Sequence, residues 1–391
     1  MRAGLEVLLD DVAPYRGRRV GLVCNHTAVT RGLTHALPAL HAAGVSVARV
    51  FGPEHGVDAT AQDMISVAED GQDRGLPAVV SLYGDSAASL RPADALLADL
   101  DVLLFDIQDI GTRYYTYQAT LGYCMEVAAR TGTEVVVLDR PNPIDGLSIE
   151  GNVVQAGYES FVSAYPLATR HGLTMGECGR FFRERLGVDC AYRVLRAEGW
   201  ARGQWYDETG LPWVYPSPNM PTLETAAIYP GMCLLEGTNV SEGRGTTRPF
   251  HLFGAPWLDR AALVRLLRAG AADAGLAGVA FREATFEPRF QKFAGEVCHG
   301  AEVFVTDRRA MDATLLGLVV LEALLRAAPA QFRWRTETYE FVDTPIAIDL
   351  LSGSGEIRLG LEARVRPREL VDAWAPQRAA FAEAREGILL Y

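Results

Sequence analysis

The chain reads as an α/β protein, with a Rossmann-like, doubly wound parallel sheet domain followed by a second domain and a cleft between the two. Three observations predict this. Short Val- and Leu-rich runs alternate with helical patterns through the first half, the mark of parallel strands buried on both faces. Each acidic or aromatic cluster in that half follows one of these runs, where an open α/β sheet places its site. A chain of 391 residues with 49% hydrophobic content favours two domains over one.

The expected strands are residues 19–25, 45–51, 78–83, 101–107 and 134–139. Helical patterns over 33–43, 92–99 and 117–131 are long enough for right-handed crossovers. Next come a helix over 174–186 capped by Thr174, a strand near 192–195, and a polar, Trp-rich passage ending at Tyr215. Helices are expected over 259–272, 310–327 and 369–386, with a mixed stretch around 286–300. The expected boundary lies near Met232, giving domains 1–232 and 233–391.

The formal charge of −12 argues against nucleic acid and anionic membrane as partners. Lys292 is the single lysine, a bias that reads as compositional. Six cysteines without a CxxC pair suit buried, reduced thiols, and Cys24, beside a strand end, is the one to check as a nucleophile. No GxGxxG follows the first strand, so no nicotinamide cofactor is expected. The N-terminus lacks an apolar segment with a small-residue cleavage site; a cytoplasmic location is expected, or an exported one if the true start lies upstream.

Several clusters can carry chemistry. Glu54 lies in a turn bracketed by Gly52 and Gly56, beside His55, which suits a positioned acid or base; alternatively Pro53-Glu54 simply begins a helix. Asp106, Gln108 and Asp109 alternate at a strand end, and with Asp139 they suggest a metal site without a diagnostic spacing. Arg113 and Tyr114 can grip a carboxylate and stack on an apolar sugar face, while Tyr115 and Tyr117 can equally be core. The glycine-rich block 236–247 holds Glu236, Glu242, Asn239 and Arg244; it makes a poor phosphate cradle and a better polar substrate loop, or a structural hairpin. Asn219 sits on a Pro-bracketed turn where its amide can bind a hydroxyl or acetamido group.

The strings FGPEHG (51–56), SLYG (81–84), DIQDIGTRYYTY (106–117), LDRPNP (138–143), SPNMPT (217–222) and EGTNVSEGRGTTRPF (236–250) resemble the exo-β-N-acetylmuramidases of the NamZ type, in order along the chain. The resemblance implies a Rossmann-like N-terminal domain joined to a smaller C-terminal α+β domain, with the active site in the interdomain cleft. It also implies release of terminal N-acetylmuramic acid from the non-reducing end of peptidoglycan fragments, with muropeptides or disaccharides as partners and neither cofactor nor metal. On that basis Glu54 becomes the general acid, with Glu236, Glu242 or Asp106 as its catalytic partner at a separation of roughly 5 to 9 Å. Alternatively, the substrate's acetamido group attacks and the second acid only orients it. Arg113 or Arg244 would hold the lactyl carboxylate. Asn25, His55, Tyr83, Gln108, Tyr114, Asp139, Arg140, Asn142, Asn219 and Asn239 complete the expected binding set. Two rivals are a non-catalytic muropeptide- or sugar-binding protein and a metal-dependent hydrolase using Asp106, Asp109 and Asp139.

Overall fold

A computed structural model describes residues 1–58, 77 and 79–391. Ala78, where the third strand is expected to start, lies outside the described residues. The strands form as β1 (Val20–Cys24), β2 (Val47–Gly52), β3 (Val79–Ser81), β4 (Val102–Asp106) and β5 (Glu134–Leu138), followed by a hairpin of β6 (Glu150–Val153) and β7 (Ala168–Arg170), then β8 (Tyr192–Leu195). Six of these make one parallel sheet in the order β3-β2-β1-β4-β5-β8. The chain winds one way from β1 and the other way from β4, so their following loops part and leave a crevice at the carboxyl ends. β1 and β4 are buried along their whole length, as their unbroken apolar runs require.

The crossover helix Tyr117–Thr131 ends at Gly132, whose φ of 80° is the left-handed stop that glycine permits. Thr174 caps Met175–Leu186 in a reciprocal box with Glu177. Two other crossovers are shorter than expected, at Ala36–Ala42 and Asp94–Leu97.

The later part of the chain builds β9 (Leu252–Ala255), β10 (Val279–Phe286) and β11 (Cys298–Val305) into an antiparallel sheet ordered β10-β11-β9. Helices Arg260–Ala274 and Ala313–Ala327 accompany it. The single helix expected near the C-terminus is two, Pro367–Ala373 and Ala375–Glu386, broken at Trp374. Pro376 has no N–H to offer a continuous helix, and it opens the second one instead.

Helix Leu223–Met232 is not apparent in the sequence because Pro230-Gly231 near its end reads as a turn. Those residues serve packing: a Cβ added at Gly231 would lie 1.9 Å from the Ala313 carbonyl oxygen, so glycine lets this helix cross Ala313–Ala327 at close range. All six cysteines are free and buried. Burial pushes the Cys24 thiol far above its ordinary range, which removes it as a nucleophile. Among the described residues no helix is long and apolar enough to cross a membrane.

Candidate active site

The turn after β2 delivers Glu54 to the crevice. Its left-handed residues are His55 (φ 69°) and Gly56 (φ 82°), with the Gly56 N–H closing on the Pro53 carbonyl at 2.9 Å. Gly52, expected to share that role, does not have a positive φ. Glu54 is buried and accepts a hydrogen bond from the Thr116 hydroxyl at 2.5 Å. Thr116 stands at the N-cap of Tyr117–Thr131 yet makes no side-chain cap bond. Its hydroxyl is spent on Glu54 rather than on the helix, forgoing a cap of about 1 kcal/mol.

Around Glu54 and His55 the pocket has an aromatic wall of Tyr114, Tyr115, Tyr117, Tyr229, Phe250 and Tyr339. Its polar lining includes Thr116, Ser217, Asn219, Glu236, Arg244 and Glu340. The rings lock one another: Tyr115 meets Tyr117 and Tyr229 edge-on at centroid separations of 5.1 and 5.6 Å, and Tyr229 meets Phe250 at 4.9 Å. The Tyr114 hydroxyl is tied to the Pro230 carbonyl.

The glycine-rich block contributes Glu236 and Arg244 to the lining. Gly243 is left-handed at φ 77°, and a Cβ there would stand 2.4 Å from the Leu252 carbonyl oxygen, so the loop can fold this tightly only with glycine. Within it, Glu236 accepts from Arg244 Nη2 at 2.7 Å on one oxygen and from the Tyr339 hydroxyl at 2.8 Å on the other. Arg244 also reaches Glu242 at 3.4 Å. Lys292 gives its ammonium to Glu242 at 2.9 Å and to the carbonyls of Leu235 and Val240. Burial alone would raise the Glu242 carboxyl, but Lys292 and Arg244 outweigh it and hold the group below its ordinary value.

Several expected site residues have other tasks. Arg113 is fully buried, and its guanidinium donates to the carbonyls of Asn152, Leu167, Leu351 and Ser352 at 2.8–3.0 Å. It ties the β6–β7 hairpin to the C-terminal end of helix Ala347–Ser352, where the helix dipole favours a cation, and no N–H pair remains for a lactyl group. Asp106 and Arg140 form a buried bidentate pair at 2.6 and 3.1 Å, which takes Asp106 out of catalysis and Arg140 out of binding. Asp139 accepts from Thr174, the Gly176 N–H and the Tyr391 hydroxyl, so it fastens a helix start and the last residue of the chain. Asn142 bridges Leu173 and Ile144, and Asn239 pairs with Gln331 and Arg333, both away from the pocket. Gln108 donates to the Asp109 and Pro141 carbonyls. Glu242 is buried beneath the wall rather than in the lining.

Asn25 and Tyr83 act at one remove. Asn25 donates to the Tyr117 hydroxyl at 3.0 Å, and Tyr83 donates to Glu340 at 3.0 Å. Glu54, His55, Tyr114, Asn219, Glu236 and Arg244 are brought together, while Glu340 and the Tyr229, Phe250 and Tyr339 rings join them without having been singled out. The metal reading loses its geometry, since Asp106, Asp109 and Asp139 bond to Arg140, Gly111 and Gly176 respectively, and no group of three suitable ligands exists among the described residues.

Asp109 makes a separate prediction. Burial pushes its carboxyl up to about 7, against the opposing bonds from Gly111 and Ile110. An unfolded Asp ionises near 3.9. The folded chain therefore keeps a proton that the unfolded chain has lost, and stability falls as pH rises from about 4 to about 7. Asp109→Asn keeps an acceptor for the Gly111 N–H and is expected to stabilise at pH 8 by on the order of 1–3 kcal/mol, with a flatter decline below. Thermal melts from pH 4 to 8 check this; an unchanged or lower midpoint at pH 8 contradicts it.

Comparison with known proteins bears on the whole chain. Residues 20–224 match the N-terminal model, and residues 227–391 the C-terminal model, of the exo-β-N-acetylmuramidase NamZ family. The chain is 38% identical over 395 residues to the peptidoglycan β-N-acetylmuramidase NamZ of Bacillus subtilis (strain 168), covering 100% of this chain and 91% of that protein. It also resembles two crystal structures of DUF1343 family proteins from Bacteroides fragilis NCTC 9343. One has a TM-score of 0.85 at 35% identity, covering 100% of this chain and 98% of the other. The second has a TM-score of 0.76 at 25% identity with the same coverage.

Proposed function

Because the chain belongs to the exo-β-N-acetylmuramidase NamZ family, we propose that its pocket takes the terminal N-acetylmuramic acid at the non-reducing end of peptidoglycan fragments and hydrolyses the β-glycosidic bond behind it. The observation that carries this reading to the residues is the pairing of Glu54 with a wall of interlocked aromatic rings in one pocket. Carboxyls supply acid and base, and the rings present flat faces to the apolar side of a sugar.

In this reading Glu54 protonates the departing oxygen, and the Thr116 hydroxyl holds it in register. Asn219 meets a hydroxyl or the acetamido group. Arg244 takes the lactyl carboxylate in preference to Arg113, because it lines the pocket whereas Arg113 is consumed by backbone carbonyls. Glu236 serves to orient Arg244. The activity belongs to cell-wall turnover.

A chromogenic β-N-acetylmuraminide offered beside the matching β-N-acetylglucosaminide tests the reading, with EDTA present. Selective cleavage of the muraminide is expected, by a factor on the order of 10² or more for a site built to pair the lactyl carboxylate. Equal cleavage of both sugars overturns the lactyl recognition, and cleavage of neither by folded enzyme overturns the muramidase reading.

A further inference from the structure

We propose that Glu340 is the second catalytic carboxylate, the group that takes up the proton released when oxygen attacks the anomeric carbon. The inference rests on the muramidase reading above.

Glu340 sits at the tip of a two-residue hairpin. The Tyr339 N–H donates to the Val342 carbonyl at 3.0 Å, and the Val342 N–H returns a bond to Tyr339 at 2.9 Å. Thr338 closes the base by donating to Asp343 at 2.6 Å. The two central residues, Glu340 and Phe341, are both left-handed, with φ of 48° and 65°. A turn of this hand is normally filled by Asn-Gly or Asp-Gly, because a residue with a full side chain is strained there. A Glu-Phe pair is held in that conformation only when the surroundings over-determine it, which is characteristic of functional sites. The strain has a pattern: of the nine non-glycine residues with positive φ among those described, His55, Phe250 and Glu340 all line this one pocket.

The hairpin bridges the two halves of the chain. Phe341 packs on the Tyr83 ring at a centroid distance of 5.9 Å, and the Tyr83 hydroxyl, just beyond β3, donates to Glu340. Its neighbour Tyr339 donates to Glu236. Glu340 is thereby buried, at 3% exposure, in the pocket that contains Glu54.

The other candidates for the second carboxyl are already committed. Asp106 is paired with Arg140, and Glu242 lies under the wall with Lys292. Glu236 receives Arg244 and Tyr339 on its two oxygens, which fits its role above of orienting Arg244. Glu54 and Glu340 each receive a hydroxyl, from Thr116 and Tyr83. A hydroxyl can donate to a carboxylate or accept from a carboxylic acid, so it positions the group in both protonation states that a proton carrier visits.

The step then balances. Glu54 gives its proton to the glycosidic oxygen as the bond from that oxygen to C1 breaks, and the aglycone leaves as an alcohol. The oxygen that bonds to C1 comes from water, whose proton passes to Glu340, or from the acetamido carbonyl, whose N–H proton passes to Glu340 as a neutral oxazoline forms. In the second case water opens the oxazoline, Glu340 returns the proton to nitrogen, and Glu54 takes the proton of the water.

The test compares wild type, Glu340→Gln, Glu340→Asp, Glu340→Ala, Tyr83→Phe and Glu54→Gln on aryl muraminides with good and poor leaving groups. Glu340→Gln should lose on the order of 10²–10⁴-fold in kcat on both, with KM little changed. Glu54→Gln should be impaired mainly on the poor leaving group, which needs its proton. Asp tolerates left-handed backbone better than Glu, so Glu340→Asp should melt no lower than wild type yet turn over at least about tenfold more slowly. Added formate should restore part of the activity of Glu340→Ala. An active wild type together with a Glu340→Gln variant within about threefold of it overturns this assignment alone. So does a loss that matches Tyr83→Phe in both melting point and rate, which marks a tie between the halves of the chain. A wild type that cleaves no muraminide overturns this assignment and the muramidase reading together.

Discussion

Glu54→Gln is expected to lower kcat on an alcohol-linked muraminide by about 10²–10⁴-fold, the usual worth of a positioned general acid. The substitution is nearly isosteric, and its amide oxygen still accepts the Thr116 hydroxyl that holds Glu54 at 2.5 Å. What disappears is the transferable proton. Glu54 sits in a turn closed by its own backbone, between Pro53 and Gly56, so the turn forms without a bond from its side chain. Melting temperature and substrate affinity, measured by calorimetric titration, should therefore stay near wild type while turnover collapses. A variant that keeps more than a tenth of wild-type turnover would show that the acid lies elsewhere.

Arg244→Met is expected to give the largest loss of stability in the pocket, roughly 3–5 kcal/mol near neutral pH. Arg244 holds Glu236 at 2.7 Å and touches Glu242 at 3.4 Å, and all three side chains are buried. Lys292 continues to offset Glu242 in the variant, so the loss of the guanidinium bears mainly on Glu236, which it holds at 2.7 Å and which also accepts from the Tyr339 hydroxyl and the Cys233 thiol. The deficit should shrink at pH 5, where a buried carboxyl deprived of its cation can take up a proton. Arg244→Met with Glu236→Gln removes both charges and should recover most of the stability without recovering selectivity for muramic acid. Urea denaturation at pH 5 and 7.5 checks the pair; a single variant that costs less than about 1 kcal/mol at pH 7.5 would show that the buried charges are compensated by other groups.

Much of the frame was legible from local pattern. Unbroken apolar runs specify strands buried on both faces, hence β1 and β4 and a parallel sheet. Helix Tyr117–Thr131 and the Thr174 cap follow from periodicity and from hydrogen-bonding groups a few residues apart. Helix Leu223–Met232 escaped because Pro230-Gly231 serves a crossing with Ala313–Ala327, a partner more than eighty residues away in sequence.

The site divided along the same line. Glu54, Asn219, Glu236 and Arg244 stand in glycine- and proline-bracketed loops, and such loops are where a scaffold presents side chains to a ligand. Arg113 and Arg140 look no different in the sequence, yet both are structural. What decides is the set of partners: four carbonyls for Arg113, from Asn152 to Ser352, and the Asp106 carboxylate with the Val29 carbonyl for Arg140. Glu340 shows the converse, a carboxylate in an unremarked stretch that a strained hairpin carries into the pocket. The sequence by itself determined the α/β class, the family and the loops that carry the chemistry, because these depend on periodicity and on residues near one another in the chain. Tertiary structure alone decided which charged groups face the pocket and which are neutralised within the protein. A buried charge must be paired, and its partner is chosen by folding across the chain rather than by its neighbours along it.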